Sequence, residues 1–346
     1  MSHINQGRLL HLWPLGLLAV ILAPLALQAD AEPADVGIKV KGKDAIEFRC
    51  GKELVGNYYI AAEVAKPYMW PLNAPGGLTV TRAWPMEKPP PADEKSTDHV
   101  HQKSLWFCHG DVIPEGIELK SKNKNAQGVD FWSEEKGYGR IVCAKVFAPV
   151  TDGSHGQVTT TNEWLTTDGE RIMDETRTIH LYNFGKARLL VFDIDLHADV
   201  CPITFGDTKE GSFGLRVRDS ITEEKGKGHL TNAEGKVGEK NGIWGHVSDW
   251  CDYSGPVGDK TAGVAIFAAP TNPIKSAWHS RGYGLMAANP FGREKSGFPA
   301  LKGKSDLVKI AKGEHLKLRY GVLLHDGDAK DAEVAEYYKK FVKLKD

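Results

Sequence analysis

The sequence predicts an all-β protein: a large antiparallel two-sheet β-sandwich with one C-terminal α-helix. Short runs rich in Val, Ile, Thr, Tyr, Phe and Trp recur along most of the 346 residues. Gly- and Asp-Gly-type turn signals separate them at strand spacing, and helical periodicity is nearly absent before the C-terminus. So many strands with one late helix fit two packed sheets around one core.

Taken in order, 38–41, 45–49, 54–61 and 78–84 read as the opening strands, with Gly51-Lys52 turning the second into the third. Residues 139–150, 155–166, 171–184 and 187–198 read as four consecutive strands joined at Asp152-Gly153, Asp168-Gly169 and Asn183-Phe184-Gly185, a meander. Further strands are expected at 203–205, 213–217, 263–268, 281–287, 307–310 and 315–324. The helix is expected over 331–344, where Val334, Tyr337, Tyr338, Phe341 and Val342 share one face and cover part of a sheet. The polar stretches 87–97, 114–128 and 221–242 read as surface loops, because strand patterns resume on both sides.

Lys and Arg number 44 against 45 Asp and Glu, dispersed along the chain, so nothing supports tracking of a nucleic-acid backbone. Leu9 to Leu27 follow Arg8 and run into Ala29-Asp30-Ala31, the small-x-small form of a signal-peptidase site. Residues 1–31 are therefore expected to be a secretory signal and 32–346 a single domain delivered to the periplasm or outside the cell. A transmembrane anchor is the alternative for this stretch, and Pro14, Pro24 and the cleavage motif weigh against it. No later segment is apolar enough to cross a membrane, so no stable insertion is expected after cleavage. Cys50, Cys108, Cys143, Cys201 and Cys251 contain no C-x-x-C pair, which disfavours a zinc ribbon, and their odd number leaves at least one thiol unpaired within the chain.

Three polar clusters carry candidate chemistry. In the first, His99, His101 and His109 would share one face of an extended segment. They suit proton transfer or metal binding, or else satisfy ordinary buried hydrogen bonds. A metal-binding cupin would place Glu three or four residues after His101, where Ser104 and Leu105 stand, so neither a metal nor another cofactor is expected. The second cluster, 205–216, presents Asp207, Lys209, Glu210 and Arg216 around glycines. It is read either as a tuned acid/base set or as a solvated ion-pair network. The third combines Trp250 with His279 and Arg281. That is the composition of a sugar cleft, where flat rings pack on CH faces and forked donors hold hydroxyls or carboxylates, and core packing is the alternative. Gly282-x-Gly284-x-x-Ala287 lacks the following helix that a dinucleotide site needs, and no G-x-S-x-G or H-E-x-x-H occurs.

The chain resembles an exported bacterial family labelled "PmoA family protein". The resemblance rests on Lys66-Pro67-Tyr68, Thr81-Arg82, Asp98-His99-Val100-His101-Gln102-Lys103-Ser104-Leu105-Trp106, His109-Gly110-Asp111, Asp130-Phe131-Trp132, 205–211, Trp250-Cys251-Asp252-Tyr253-Ser254-Gly255, 263–266 and Asn289-Pro290-Phe291-Gly292. It covers nearly the whole mature chain. A methane monooxygenase membrane subunit needs several long apolar helices, which this chain lacks, so the resemblance implies the exported family and not that chemistry. Where the family has His-His, this sequence has His101-Gln102, one candidate ligand fewer.

The expected function is an exported carbohydrate-active enzyme acting on a glycoside or oxidised sugar by acid/base chemistry, on a small-molecule or oligosaccharide substrate. His99, His101 and His109 would transfer protons or orient substrate, opposite Asp207 or Glu210. Arg82, Arg216, His279 and Arg281 would anchor substrate groups, and Trp250 would supply a stacking face. A non-catalytic glycan-binding protein and a metal-dependent oxidoreductase are the alternatives.

Overall fold

A computed structural model describes residues 1–3 and 33–344. The chain divides into Met1–Glu32 and Pro33–Asp346, and the fold described is that of the second unit. Beyond its first three residues, the segment read as a signal lies outside the described residues.

Alternating β-branched and aromatic runs build two antiparallel sheets whose central strands are buried on both faces. The eight-stranded sheet runs, in spatial order, Val36–Lys41, Ala45–Cys50, Glu53–Tyr59, Tyr68–Trp70, Leu105–His109, Gly211–Arg216, Leu285–Asn289 and Ala277–Trp278. The nine-stranded sheet runs Val150–Asp152, His155–Leu165, Arg171–Asn183, Ala187–His197, His315–Asp326, Lys260–Ala268, Trp250–Val257 and His229–Asn232, with Arg140–Val146 also paired to His155–Leu165. A small third sheet joins Val112–Pro114, Ile203–Phe205 and Val308–Ile310.

The expected meander is present, turned at Gly153 (φ 54°) and Gly169 (φ 84°), a backbone region that side chains resist. Its first strand is split into 140–146 and 150–152, because Pro149 between them has no N–H for the ladder.

Ala187–His197 serves two cores. Leu190, Phe192, Ile194 and Leu196 point into the space between the sheets. Ala187, Leu189 and Val191 point outward, into a second cluster with Trp250, Phe267, Leu323, Val334 and Phe341. The helix Val334–Lys343 covers that outer patch, with the Phe341 ring 5.6 Å from Phe267 and Tyr337 5.4 Å from Phe184. Between the sheets, Phe213 stacks on Tyr320 at 4.7 Å and meets Phe192 edge-on at 5.2 Å. A buried ion pair also crosses that space: Arg177 donates to Glu175 (2.5 Å) and to the Tyr58 hydroxyl of the opposite sheet (2.6 Å).

Four local expectations need correction. Residues 78–84 are not one strand: only Leu78–Thr79 is, and Thr81 makes a single bridge to Val217 before Pro85 ends any pairing. Residues 281–284 form a tight turn, with the Gly284 N–H on the Arg281 carbonyl, and the strand begins at Leu285. The loop read at 221–242 holds the edge strand His229–Asn232. The segment 99–104 is a turn, because His99 (φ 43°) and Ser104 (φ 60°) leave the extended region, so the three histidines do not share one strand face.

Phe341 is 1% exposed and anchors the helix. Replacing it by Ala is expected to cost about 3–5 kcal/mol. Urea unfolding checks this, and an unchanged midpoint would show that the helix does not rest on that ring.

Candidate functional site

Two fully buried guanidinium groups organise the turn that follows residue 97. Arg82 donates to the Asp98 carboxylate (2.7 Å) and to three carbonyls, those of Asp98 (3.0 Å), His99 (2.9 Å) and Gln102 (3.1 Å). Arg216 donates to the same Asp98 oxygen (2.9 Å) and to Gln102 Oε1 (2.5 Å), and its guanidinium lies 4.4 Å from the Tyr283 ring centre. The hydrogen bond from His99, with Arg216 and Arg82 beside it, holds the Asp98 carboxyl far below the ordinary carboxylate range. Burial and the neighbouring Arg216 pull Arg82 down to about 10, with Asp98 opposing them, so it stays charged at neutral pH. His99 Nδ1 sits 3.3 Å from Asp98, and its ring stacks on Tyr283 at 5.3 Å and meets His101 edge-on at 5.7 Å.

This turn forms one wall of a cavity of about 430 Å³. The 208–210 turn faces it, with the Gly110 N–H donating to the Glu210 carbonyl (2.7 Å) and Asn289 Nδ2 donating to the carbonyls of Thr208 (3.0 Å) and Lys209 (3.2 Å). Gly110 is needed there, because a Cβ would lie 2.8 Å from that carbonyl oxygen. His279, Arg281 and Tyr283 line the cavity from the start of the Leu285–Asn289 hairpin. Asn123, Asn125, Asp130 and Trp132 close it from the long polar loop. Asp130 fixes that loop by accepting the Trp132 N–H (2.7 Å), the Ser133 N–H (3.1 Å) and Asn123 Nδ2 (2.9 Å).

The electrostatics separate the titratable groups. Burial, reinforced by Lys66 and His99, pushes His101 down to about 3. Burial likewise lowers His279 to about 4. Both are neutral imidazoles at pH 7. Burial pushes the Glu210 carboxyl up, but His279, where that ring is protonated, and the ion pair with Lys209 more than offset that, leaving the carboxyl below its ordinary range and ionised at neutral pH. His279 bonds the Lys209 backbone, and its Nδ1 is buried with no protein partner. One cavity thus holds an anionic carboxylate, neutral imidazoles and the faces of Tyr283 and Trp132.

Of the residues predicted from sequence, His99, His101, Glu210, His279 and Arg281 line this cavity together. Five others lie elsewhere, each for a physical reason. Arg82 and Arg216 stand behind the wall, committed to Asp98 and the turn carbonyls. His109 sits on a strand, fully buried between Phe205 and Phe291, with Nε2 2.8 Å from the Gly206 carbonyl. Asp207 accepts the N–H groups of Arg293 (2.7 Å), Lys295 (2.6 Å) and Ser296 (2.9 Å), which ties down the 292–297 loop. Trp250 pairs in register with Phe267 and faces the outer core under the helix, so the stacking faces of the cavity are Tyr283 and Trp132. The sequence assigns no role to Gln102, Asn123, Asp130 or Thr208, which line the cavity beside Lys209 of the second cluster. Asn123 lies in a stretch read as a plain surface loop, and no periodicity marks it. All five cysteines are free thiols, and none lines the cavity. Among the described residues, no group of three or more His, Cys, Asp or Glu side chains is arranged to hold a metal ion.

Two predictions follow from these environments. Arg82→Met leaves Asp98 half-paired and three carbonyls without their donor, and is expected to cost about 3–5 kcal/mol in chemical denaturation. A loss below about 1 kcal/mol would show that the turn holds itself. His101, His109 and His279 all have folded-state values below the ordinary 6.5 (about 3, 4 and 4), so the unfolded chain takes up their protons first. Their contribution to stability is full above pH 6.5 and declines as pH falls toward about 4, by up to ~1.4 kcal/mol per pH unit for each group. Histidine NMR titration checks it: ring signals of His101 and His279 that titrate above pH 6 would contradict the assignment.

No curated protein matches the chain. Among solved structures, the chain is similar to the GH36 α-galactosidase AgaB of Geobacillus stearothermophilus at 8% identity and a TM-score of 0.45, over 86% of this chain and 42% of that one. The chain thus spans less than half the length of that protein. It is also similar to a galactose mutarotase-like protein of Clostridium acetobutylicum (10% identity, TM-score 0.43, 84% and 98% covered). A galactose 1-epimerase of Lactobacillus acidophilus NCFM is a third (9%, 0.40, 85% and 98%). A family model spans residues 45–339, most of the sandwich and every residue lining the cavity, and by this match the chain belongs to the family of unknown function DUF6807.

Proposed function

We propose that the cavity binds a saccharide and that the chain is an exported enzyme that cleaves or rearranges a glycoside or oxidised sugar by acid/base chemistry. The observation that carries this reading is the opposition, in one cavity, of ionised Glu210 to the Asp98-oriented imidazole of His99, flanked by neutral His101 and His279. Two titratable groups whose surroundings set different protonation states can divide the roles of acid and base. Asp98 takes His99 Nδ1–H, which leaves Nε2 as the proton-transfer atom. Glu210, as a carboxylate, accepts a proton from a sugar hydroxyl or an acidic C–H. His101 and His279, neutral, offer hydrogen bonds that orient sugar oxygens without adding charge. Tyr283 and Trp132 offer flat faces for the sugar ring.

The test is a panel of mono- and oligosaccharides monitored by NMR for product or exchange. With a turned-over sugar in hand, Glu210→Gln and His99→Gln are each expected to lower kcat about 10²- to 10⁴-fold while the circular dichroism stays unchanged. Near wild-type turnover in both variants would remove the assignment. Sugar binding with no product over long incubation would favour a glycan-binding protein instead.

A further inference from the structure

We infer that the cavity takes an uncharged saccharide and discriminates against uronates and other anionic sugars. This rests on the saccharide reading above and narrows it. An anionic ligand needs a cation whose charge is not already offset, and this cavity is lined by two cations, Lys209 and Arg281, against three carboxylates, Glu210, Asp130 and Glu135. Lys209 pairs with Glu210. Arg281 Nε lies 2.8 Å from Glu239, and that carboxylate is itself fixed by the Gly282 N–H at 2.6 Å. Behind the wall, Lys66 and Lys103 share Glu134 at 2.8 and 2.6 Å, and Arg82 and Arg216 share Asp98.

The remaining charge points the same way. Asp130 and Glu135 both line the cavity, and among the described residues neither has a cationic partner within 4.0 Å. His101 and His279 are neutral at pH 7 and cannot offset them. A ligand carboxylate or phosphate must therefore break an existing ion pair or sit beside Asp130 and Glu135, neither of which is held in an ion pair among the described residues, and like-charge contact is strongly disfavoured. The groups left for recognition are uncharged: Thr208, Asn125, the neutral imidazoles and the aromatic faces. These suit hydroxyls.

The experiment titrates three matched pairs, galactose and galacturonate, glucose and glucuronate, lactose and lactobionate, by ligand-detected NMR at pH 7 and constant ionic strength. In any pair that binds, the neutral member is expected to bind at least about tenfold tighter. Glu239→Gln, which releases Arg281, is expected to shrink that ratio at least about threefold by improving the anion alone. Glu135→Gln on the exposed loop should shrink it in the same sense and serves if the first variant does not fold. An anionic member that binds as tightly as its neutral partner overturns this inference and leaves the saccharide reading standing. Binding of none of the six overturns both.

Discussion

The site depends on two arginines that never reach it. Arg82 and Arg216 converge on one oxygen of Asp98, and Arg82 also gathers three backbone carbonyls of a turn closed by a hydrogen bond from the Gln102 N–H to the His99 carbonyl. Buried guanidinium groups are costly unless their forked donors are filled, and this turn fills most of them. The arrangement is reciprocal: the turn neutralises the arginines, and the arginines give it a single conformation. His99 and His101 acquire fixed positions as a result, because both project from that turn.

The same logic runs through the rest of the cavity. Asp130 ties the long polar loop by accepting N–H groups, Asp207 ties the 292–297 loop, and Asn289 ties the 208–210 turn. Each of these three segments is held by one side chain at its base, and two of them, the polar loop and the 208–210 turn, carry lining residues. The sandwich supplies the rigid platform, since Glu210 directly precedes the strand Gly211–Arg216 and Gly110 directly follows Leu105–His109, two neighbours in one sheet. Loops on such a platform can diverge in chemistry without disturbing the core.

Among the described residues, burial divides the histidines by role. His109 is sealed among aromatic rings and serves packing, whereas His101 and His279 are desolvated at a cavity wall, where a lowered affinity for protons has a chemical use. Sequence spacing grouped His109 with His99 and His101; the positive φ of His99 and Ser104 separates them. Trp250 shows the converse case. Its surroundings in sequence look like a sugar cleft, yet strand alternation turns it toward the outer core beneath the helix.

The sequence by itself determined the sheet class, the meander and the terminal helix with its apolar face, because these depend on local periodicity and turn chemistry that neighbouring residues carry. It also named five of the residues that meet in the cavity, since unusual densities of His, acid and aromatic groups are visible in one dimension. Only the tertiary structure decided which of those groups converge, that Arg82 and Arg216 brace a wall instead of touching ligand, and that Asn123, Asn125 and Asp130 join the site. The physical reason is that a strand's two faces, a turn's hand and the ion pair a cation chooses are all set by partners a hundred or more residues away.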